Sequence, residues 1–170
     1  MAPQFQLKLF EEIELYGKDL SLKLYGARAL MALRLEKNWG AWTLDFRPDF
    51  TAAESGLDIF INWNKEFVGK KAAEDEKKQG PKKKLVTMSI DTKDIDVTND
   101  EAILKDNKCV GYITSGGYAH HVKKSMALGY VPTELSKHDT ALQVEINGKL
   151  YKANVTDKPL YDANGGKMKS

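Results

Sequence analysis

Arg34 is the residue whose surroundings most demand a chemical explanation. From Ala27 to Glu36 the only charged residues are Arg28, Arg34 and Glu36, set in a run of alanine, leucine and methionine. Arg34 lies at helical spacing from Ala27, Leu30 and Met31, so it shares their stripe. A guanidinium among apolar neighbours must find an anionic or carbonyl partner, because burying an unpaired charge is very costly. Two partners meet that demand. One is an acid elsewhere in the fold, giving an internal ion pair; the other is a ligand carboxylate or polar heterocycle held by the planar guanidinium fork. Trp39 and Trp42, which flank Gly40, are either packing residues or a wall for a flat aromatic ligand that the glycine lets approach.

Other constellations point away from chemistry. Thr114–Val122 (TSGGYAHHV) is glycine-rich but lacks the Gly-Lys-Ser/Thr ending of a phosphate loop. The adjacent pair His120 and His121 diverges on either regular element, whereas a helical zinc pair needs i, i+4 spacing. With one cysteine and no third histidine nearby, no metal site is expected. No glycine-flanked serine marks a hydrolase elbow. The run Lys82–Lys84, with Lys77 and Lys78, reads as a solvated linker, since the interleaved aromatics of a nucleic-acid module are missing.

The elements that must position these residues follow from periodicity. Phe5, Leu9, Phe10, Ile13 and Tyr16 fall near helical spacing and Gly17 is placed to end that helix. Leu20, Leu22 and Leu24 alternate as in a strand, broken at Gly26. Ala27–Leu35 is a helix apolar on most faces, which predicts burial all round. Leu57, Ile59, Ile61 and Trp63 alternate again, and 62–65 reads as a turn. Lys70–Lys78 is helix-prone and closed by Gly80-Pro81. A boundary between about Glu76 and Lys84 divides the chain into 1–80 and 81–170.

Beyond it strands dominate. Val86, Met88 and Ile90 alternate, and Cys109–Thr114 follows an Asp106-Asn107 turn. Asn147-Gly148 suits a two-residue type I′ hairpin that pairs Val144 with Tyr151 and Leu142 with Ala153. Leu142, Val144, Ile146, Tyr151, Ala153 and Val155 then share one face. The fold class is therefore α+β: a helical and mixed N-terminal segment followed by a small antiparallel β-barrel or sandwich.

Composition sets the outer limits. The 170 residues are 42% hydrophobic and 29% charged, with a formal net charge of +2. That balance fits a globular protein and calls for neither a nucleic-acid nor a membrane partner. The lone Cys109 excludes an intrachain disulfide and favours a reducing compartment. The N-terminus carries acids where a signal peptide needs an apolar run. A soluble cytoplasmic protein is expected, or one of the mitochondrial matrix in a eukaryote.

Several of these segments together resemble one family. GARALMALRLEK (Gly26–Lys37) is similar to the G-x-R-x-x-x-x-x-R-L-E segment of the glycine-cleavage T-protein family. PDFTAAESGL (Pro48–Leu57) resembles the P-x-x-T-x-x-E-x-G-L segment that follows, and FVGK (Phe67–Lys70) its F-[IV]-G-[KR]. VGYITSGGY, KSMALGYV and PLYD resemble the family's C-terminal barrel. Within the superfamily the likeness is strongest to the C-terminal regions of dimethylglycine and sarcosine dehydrogenases.

The resemblance implies residues 1–80 as the C-terminal part of a folate-binding domain and 81–170 as the barrel. It implies tetrahydrofolate as cofactor, with FAD only if a further domain lies upstream. Arg34 takes the place of an arginine lining the folate site and Trp42 that of an aromatic where tyrosine is common. Lys167 stands where an arginine is usual near the C-terminus. The family's catalytic aspartate belongs to the amino-terminal half, so no catalytic residue is assigned here. The implied partners are that half or an equivalent subunit, and reduced folate, with self-association as a further expectation. The alternative is a non-catalytic assembly or regulatory module.

Overall fold

A computed structural model describes residues 2–169. The chain divides into two compact units, residues 1–30 and 31–170.

In the first unit, helix α1 (Gln6–Gly17) ends at the predicted glycine. A 3-10 turn over Lys18–Leu20 follows, and Ser21 takes a left-handed conformation (φ 56°). The Leu22 amide then donates back to the Gly17 carbonyl at 3.1 Å. That return replaces the strand expected over Leu20–Leu24, because no other strand pairs with this stretch among the described residues. Alternation expresses a preference that needs a ladder partner to become a strand.

Helix α2 (Ala27–Glu36) forms as its composition requires, but it is not buried on all sides. Leu30 and Leu33 are about half exposed, and only the last turn (Arg34, Leu35, Glu36) is enclosed. Asn38, with φ 56°, stops the helix, and the Asn38 and Trp39 amides take up the Leu35 and Arg34 carbonyls. Asparagine tolerates that left-handed position well. The Leu57–Trp63 alternation likewise yields a 3-10 turn over Asp58–Phe60 rather than a strand. Ile59 and Phe60 project to the surface, so no sheet supports the pattern. Helix α3 (Lys70–Gln79) forms as predicted and stops at Gly80.

Six strands complete the fold: β1 (Lys83–Ile90), β2 (Ala102–Lys105), β3 (Lys108–Ala119), β4 (Lys124–Pro132), β5 (Ala141–Ile146) and β6 (Lys149–Thr156). They close into an antiparallel barrel in the order β1-β4-β3-β2-β5-β6, with β6 pairing back onto β1. Closure leaves no unpaired edge. The β5–β6 hairpin has the expected register, Val144 opposite Tyr151 and Leu142 opposite Ala153. Asn147 and Gly148 both hold positive φ, as a type I′ turn demands. Asp106 and Asn107 do the same between β2 and β3. Val86, Met88, Ile90, Ile103, Ile113 and Val144 lead a core to which every strand contributes. A short helix, α4 (Gly166–Lys169), lies near the C-terminus.

Candidate functional site

The buried end of α2 meets the barrel through one carboxylate. Asp45 has no solvent exposure and Arg34 only 7%. Arg34 Nη1 donates to Asp45 Oδ2 at 2.8 Å and to the Trp39 carbonyl at 3.1 Å. The same Oδ2 accepts the Ala41 amide at 2.7 Å. On Oδ1, Asp45 accepts the hydroxyls of Thr114 and Ser115, the latter at 2.6 Å. Both carboxylate oxygens are thereby doubly bonded, and the buried charge is matched by the guanidinium. A buried pair is tolerated on those terms.

How two consecutive strand residues reach one oxygen is a question of backbone. Successive side chains of a regular strand point to opposite faces. Between Ile113 and Ser115, however, the β3–β4 register shifts by a bulge. Bulges re-aim side chains, and here Thr114 and Ser115 both turn to Asp45. Next along β3, Gly116 passes the 97 loop so closely that a Cβ would sit 2.6 Å from the Val97 carbonyl oxygen. The glycine-rich run of TSGGY therefore serves close backbone approach within a strand.

A second group of contacts surrounds this pair. Tyr130 donates its hydroxyl to the Asp45 carbonyl at 3.0 Å and shares a 2.8 Å hydrogen bond with Ser55. Its ring stacks on Phe50 with centroids 3.4 Å apart. Burial raises the Tyr130 phenol above its ordinary pKa, with the Asp45 charge acting in the same direction, so it remains a neutral donor. Glu36 is also buried, its Oε1 accepting the His121 amide at 2.7 Å. Lys37 Nζ reaches the Asp162 carbonyl at 2.5 Å, and the Tyr161 amide donates to the Glu36 carbonyl at 3.3 Å. The PLYD segment is thus tied to the end of α2.

The three residues singled out in the sequence have unequal settings. Arg34 satisfies the ion-pair reading through Asp45, yet its Nη2 is buried without a hydrogen-bond partner among the described residues. Trp42 is 78% exposed and touches Phe46 edge-on, so it presents a broad aromatic face. Lys167 places its ammonium 5.3 Å from the centre of the Tyr161 ring, beside which Lys37 also lies. Asp45, Thr114 and Ser115 were not picked out from sequence. The one available signal was the polar pair Thr-Ser inside an otherwise apolar strand.

Among the described residues, no group of three or more histidines, cysteines or acids could hold a metal ion. No described helix is long and apolar enough to cross a membrane.

A closed antiparallel barrel is thus bonded, through its bulged strand, to the end of an arginine-bearing helix. Residues 1–65 match the GCVT N-terminal domain, and residues 83–162 match the glycine cleavage T-protein C-terminal barrel domain. The chain belongs to the glycine cleavage T-protein family. It is 39% identical over 154 residues to mitochondrial dimethylglycine dehydrogenase of Rattus norvegicus, covering 89% of this chain and 18% of that protein. It is 35% identical over 148 residues to an aminomethyltransferase of Picosynechococcus sp., covering 86% of this chain and 40% of that protein. The crystal structure of aminomethyltransferase T from Bartonella henselae has the same fold, with a TM-score of 0.82 at 24% identity over 93% of this chain and 44% of the other. The chain spans less than half the length of these relatives.

Proposed function

We propose that this chain supplies part of a reduced-folate site for one-carbon transfer and works together with a half that carries the catalytic carboxylate. The observation that carries the reading is Arg34 Nη2, a buried donor with no partner among the described residues, beside a pair whose other bonds are made. Unpaired buried polar atoms are few in native proteins and call for a reason. A pterin ring offers the flat, acceptor-rich edge that such a donor fits. Arg34 would hold that edge, Trp42 would pack against the ring, and Lys167 would meet a folate carboxylate. When bound, tetrahydrofolate supplies the nitrogens that accept the one-carbon unit. This chain's own contribution is orientation: Asp45 fixes Nη1, and so fixes where Nη2 points.

The partner reading rests on the first unit. Leu7 (69%), Ile13 (50%) and Tyr16 (76%) of α1 are exposed, and Leu20, Leu24 and Tyr25 beyond it are also exposed. Apolar surface on that scale marks an interaction site. The occupant of that surface is the catalytic half of a T-protein-like enzyme, in the cytoplasm or the mitochondrial matrix. With it bound, residues 1–80 complete the folate domain and 81–170 form its barrel partner.

Calorimetric titration with 5-formyltetrahydrofolate tests both statements. Little or no heat is expected from the chain alone, and saturable binding once the amino-terminal half of an aminomethyltransferase is added. Absence of binding in both conditions overturns the folate assignment. Sedimentation that shows a monodisperse monomer unaffected by the added half overturns the partner assignment.

A further inference from the structure

At the far end of β1 a polar cavity of about 430 Å³ opens among segments distant in sequence. Lys93 comes from the loop after β1, Lys123 and Lys124 from the entry to β4, and Lys152 from β6. Among the described residues Asp91 is the sole acid lining it, so four positive charges and one negative leave the cavity at +3, against +2 for the whole chain. Among the described residues none of the four lysines forms an ion pair. The frame that gathers them is a hydrogen-bonded ladder of strands. Ile90 pairs with Ser125 and Ser89 with Asn154, while the Asp91 amide donates to the Lys152 carbonyl at 2.9 Å.

Like charges held together by a fixed frame repel one another, and a bound anion relieves the repulsion. A second observation points the same way. Ser125 lines the cavity, is 2% exposed, and its Oγ has no hydrogen-bond partner among the described residues. A buried hydroxyl without a partner is a group awaiting one. The donor set bears on the kind of anion. Among the described residues no arginine lines the cavity, so the planar fork that grips carboxylates and phosphates alike is absent. Lysines are compact point charges, which suit a small anion of high charge density such as a phosphate group.

We propose that this cavity binds a small phosphorylated anion carrying two or more negative charges. The proposal is independent of the folate reading, since it uses none of the same residues. Titration of the full 170-residue chain with inorganic pyrophosphate, at fixed ionic strength and with citrate as the carboxylate comparison, tests it. Saturable single-site binding is expected, with citrate weaker by about fivefold or more. The double variant Lys124→Gln/Lys152→Gln should lose at least about tenfold in affinity. Lys71→Gln/Lys78→Gln, which removes the same charge from the exposed face of α3, should bind pyrophosphate as the parent does. Ser125→Ala should weaken binding with no change in the selectivity over citrate. A second phosphate arm, glycerol 3-phosphate, separates a phosphate ester from a free polyphosphate as the source of the group. No saturable binding of either phosphate compound at millimolar concentration overturns the proposal. Equal losses in the two double variants also overturn it.

Discussion

The barrel and the irregular stretch that leans on it are held by opposite means. Inside the barrel, apolar residues from all six strands close on one another and the ladders leave no edge. The stretch from Arg34 to Gly56 has little regular structure, and it is fastened by buried polar bonds: Arg34 to Asp45, Asp45 to Thr114 and Ser115, Ser55 to Tyr130. Burial of apolar area is non-directional and tolerates small shifts. A hydrogen-bonded charge fixes a geometry, and fails abruptly when one member is lost. A protein that must aim a guanidinium at a ligand benefits from the second kind of attachment.

That contrast breaks most visibly at Asp45. Asp45→Ala leaves Arg34 charged and enclosed, its Nη1 still donating to the Trp39 carbonyl and its Nε to the Met31 sulfur at 3.4 Å, a change expected to cost about 3–5 kcal/mol. Urea unfolding followed by circular dichroism measures it. A loss below about 1 kcal/mol would mean that the polar attachment is not what holds this stretch.

A matched pair of isoleucines sharpens the comparison from the apolar side. Ile113 is fully buried in the barrel, whereas Ile59 is 77% exposed on the irregular stretch. Ile113→Ala should cost about 2–5 kcal/mol through lost burial and the cavity left behind. Ile59→Ala should stay within about 0.5 kcal/mol, as surface changes do. Equal effects would show that the alternation around Ile59 is serving a packed face after all. Between these lies Tyr130→Phe, which keeps the stack on Phe50 and deletes the hydroxyl that links Ser55 and the Asp45 carbonyl. About 1–3 kcal/mol is expected, the range for leaving a buried polar group unsatisfied.

The same contrast explains what could be read in advance. The β5–β6 register was legible because Asn147-Gly148 fixes the turn and the turn fixes every pair after it. The three long helices were legible because their signals are local, and so was the need of Arg34 for a partner. Which acid answers it was not. Asp45 lies eleven residues from Arg34 and about seventy from Thr114 and Ser115, and only the bulge in β3 lets two neighbours face it. Nor did alternation distinguish Val86–Ile90 from Leu20–Leu24 or Leu57–Trp63. The first has β4 and β6 beside it, and the others have no strand to pair with among the described residues. The lysine cavity was invisible for the same reason, since three segments of modest charge converge only when the barrel closes.

The smallest expected effect lies where the polar attachment meets solvent, at the Lys37–Asp162 tether. Burial alone would raise the Asp162 carboxyl, but the Gly166 amide and the charge and hydrogen bond of Lys37 outweigh it, and its pKa falls below the ordinary 3.8. A carboxylate whose folded pKa is depressed adds stability above its unfolded value, and that stability is lost as pH falls through the folded one. The tether should therefore contribute in full at neutral pH and down to about 3.8, then fade as the solution becomes more acidic. Asp162→Asn, which cannot titrate, is the comparison. The difference in urea midpoint between parent and variant should be constant from pH 7 to about pH 5 and should close below about 3.8. A difference that persists into strong acid would assign the Asp162 contribution to its neutral contacts. A difference that grows there would reverse the sign of the linkage, and the PLYD segment would then be held by something other than this charge.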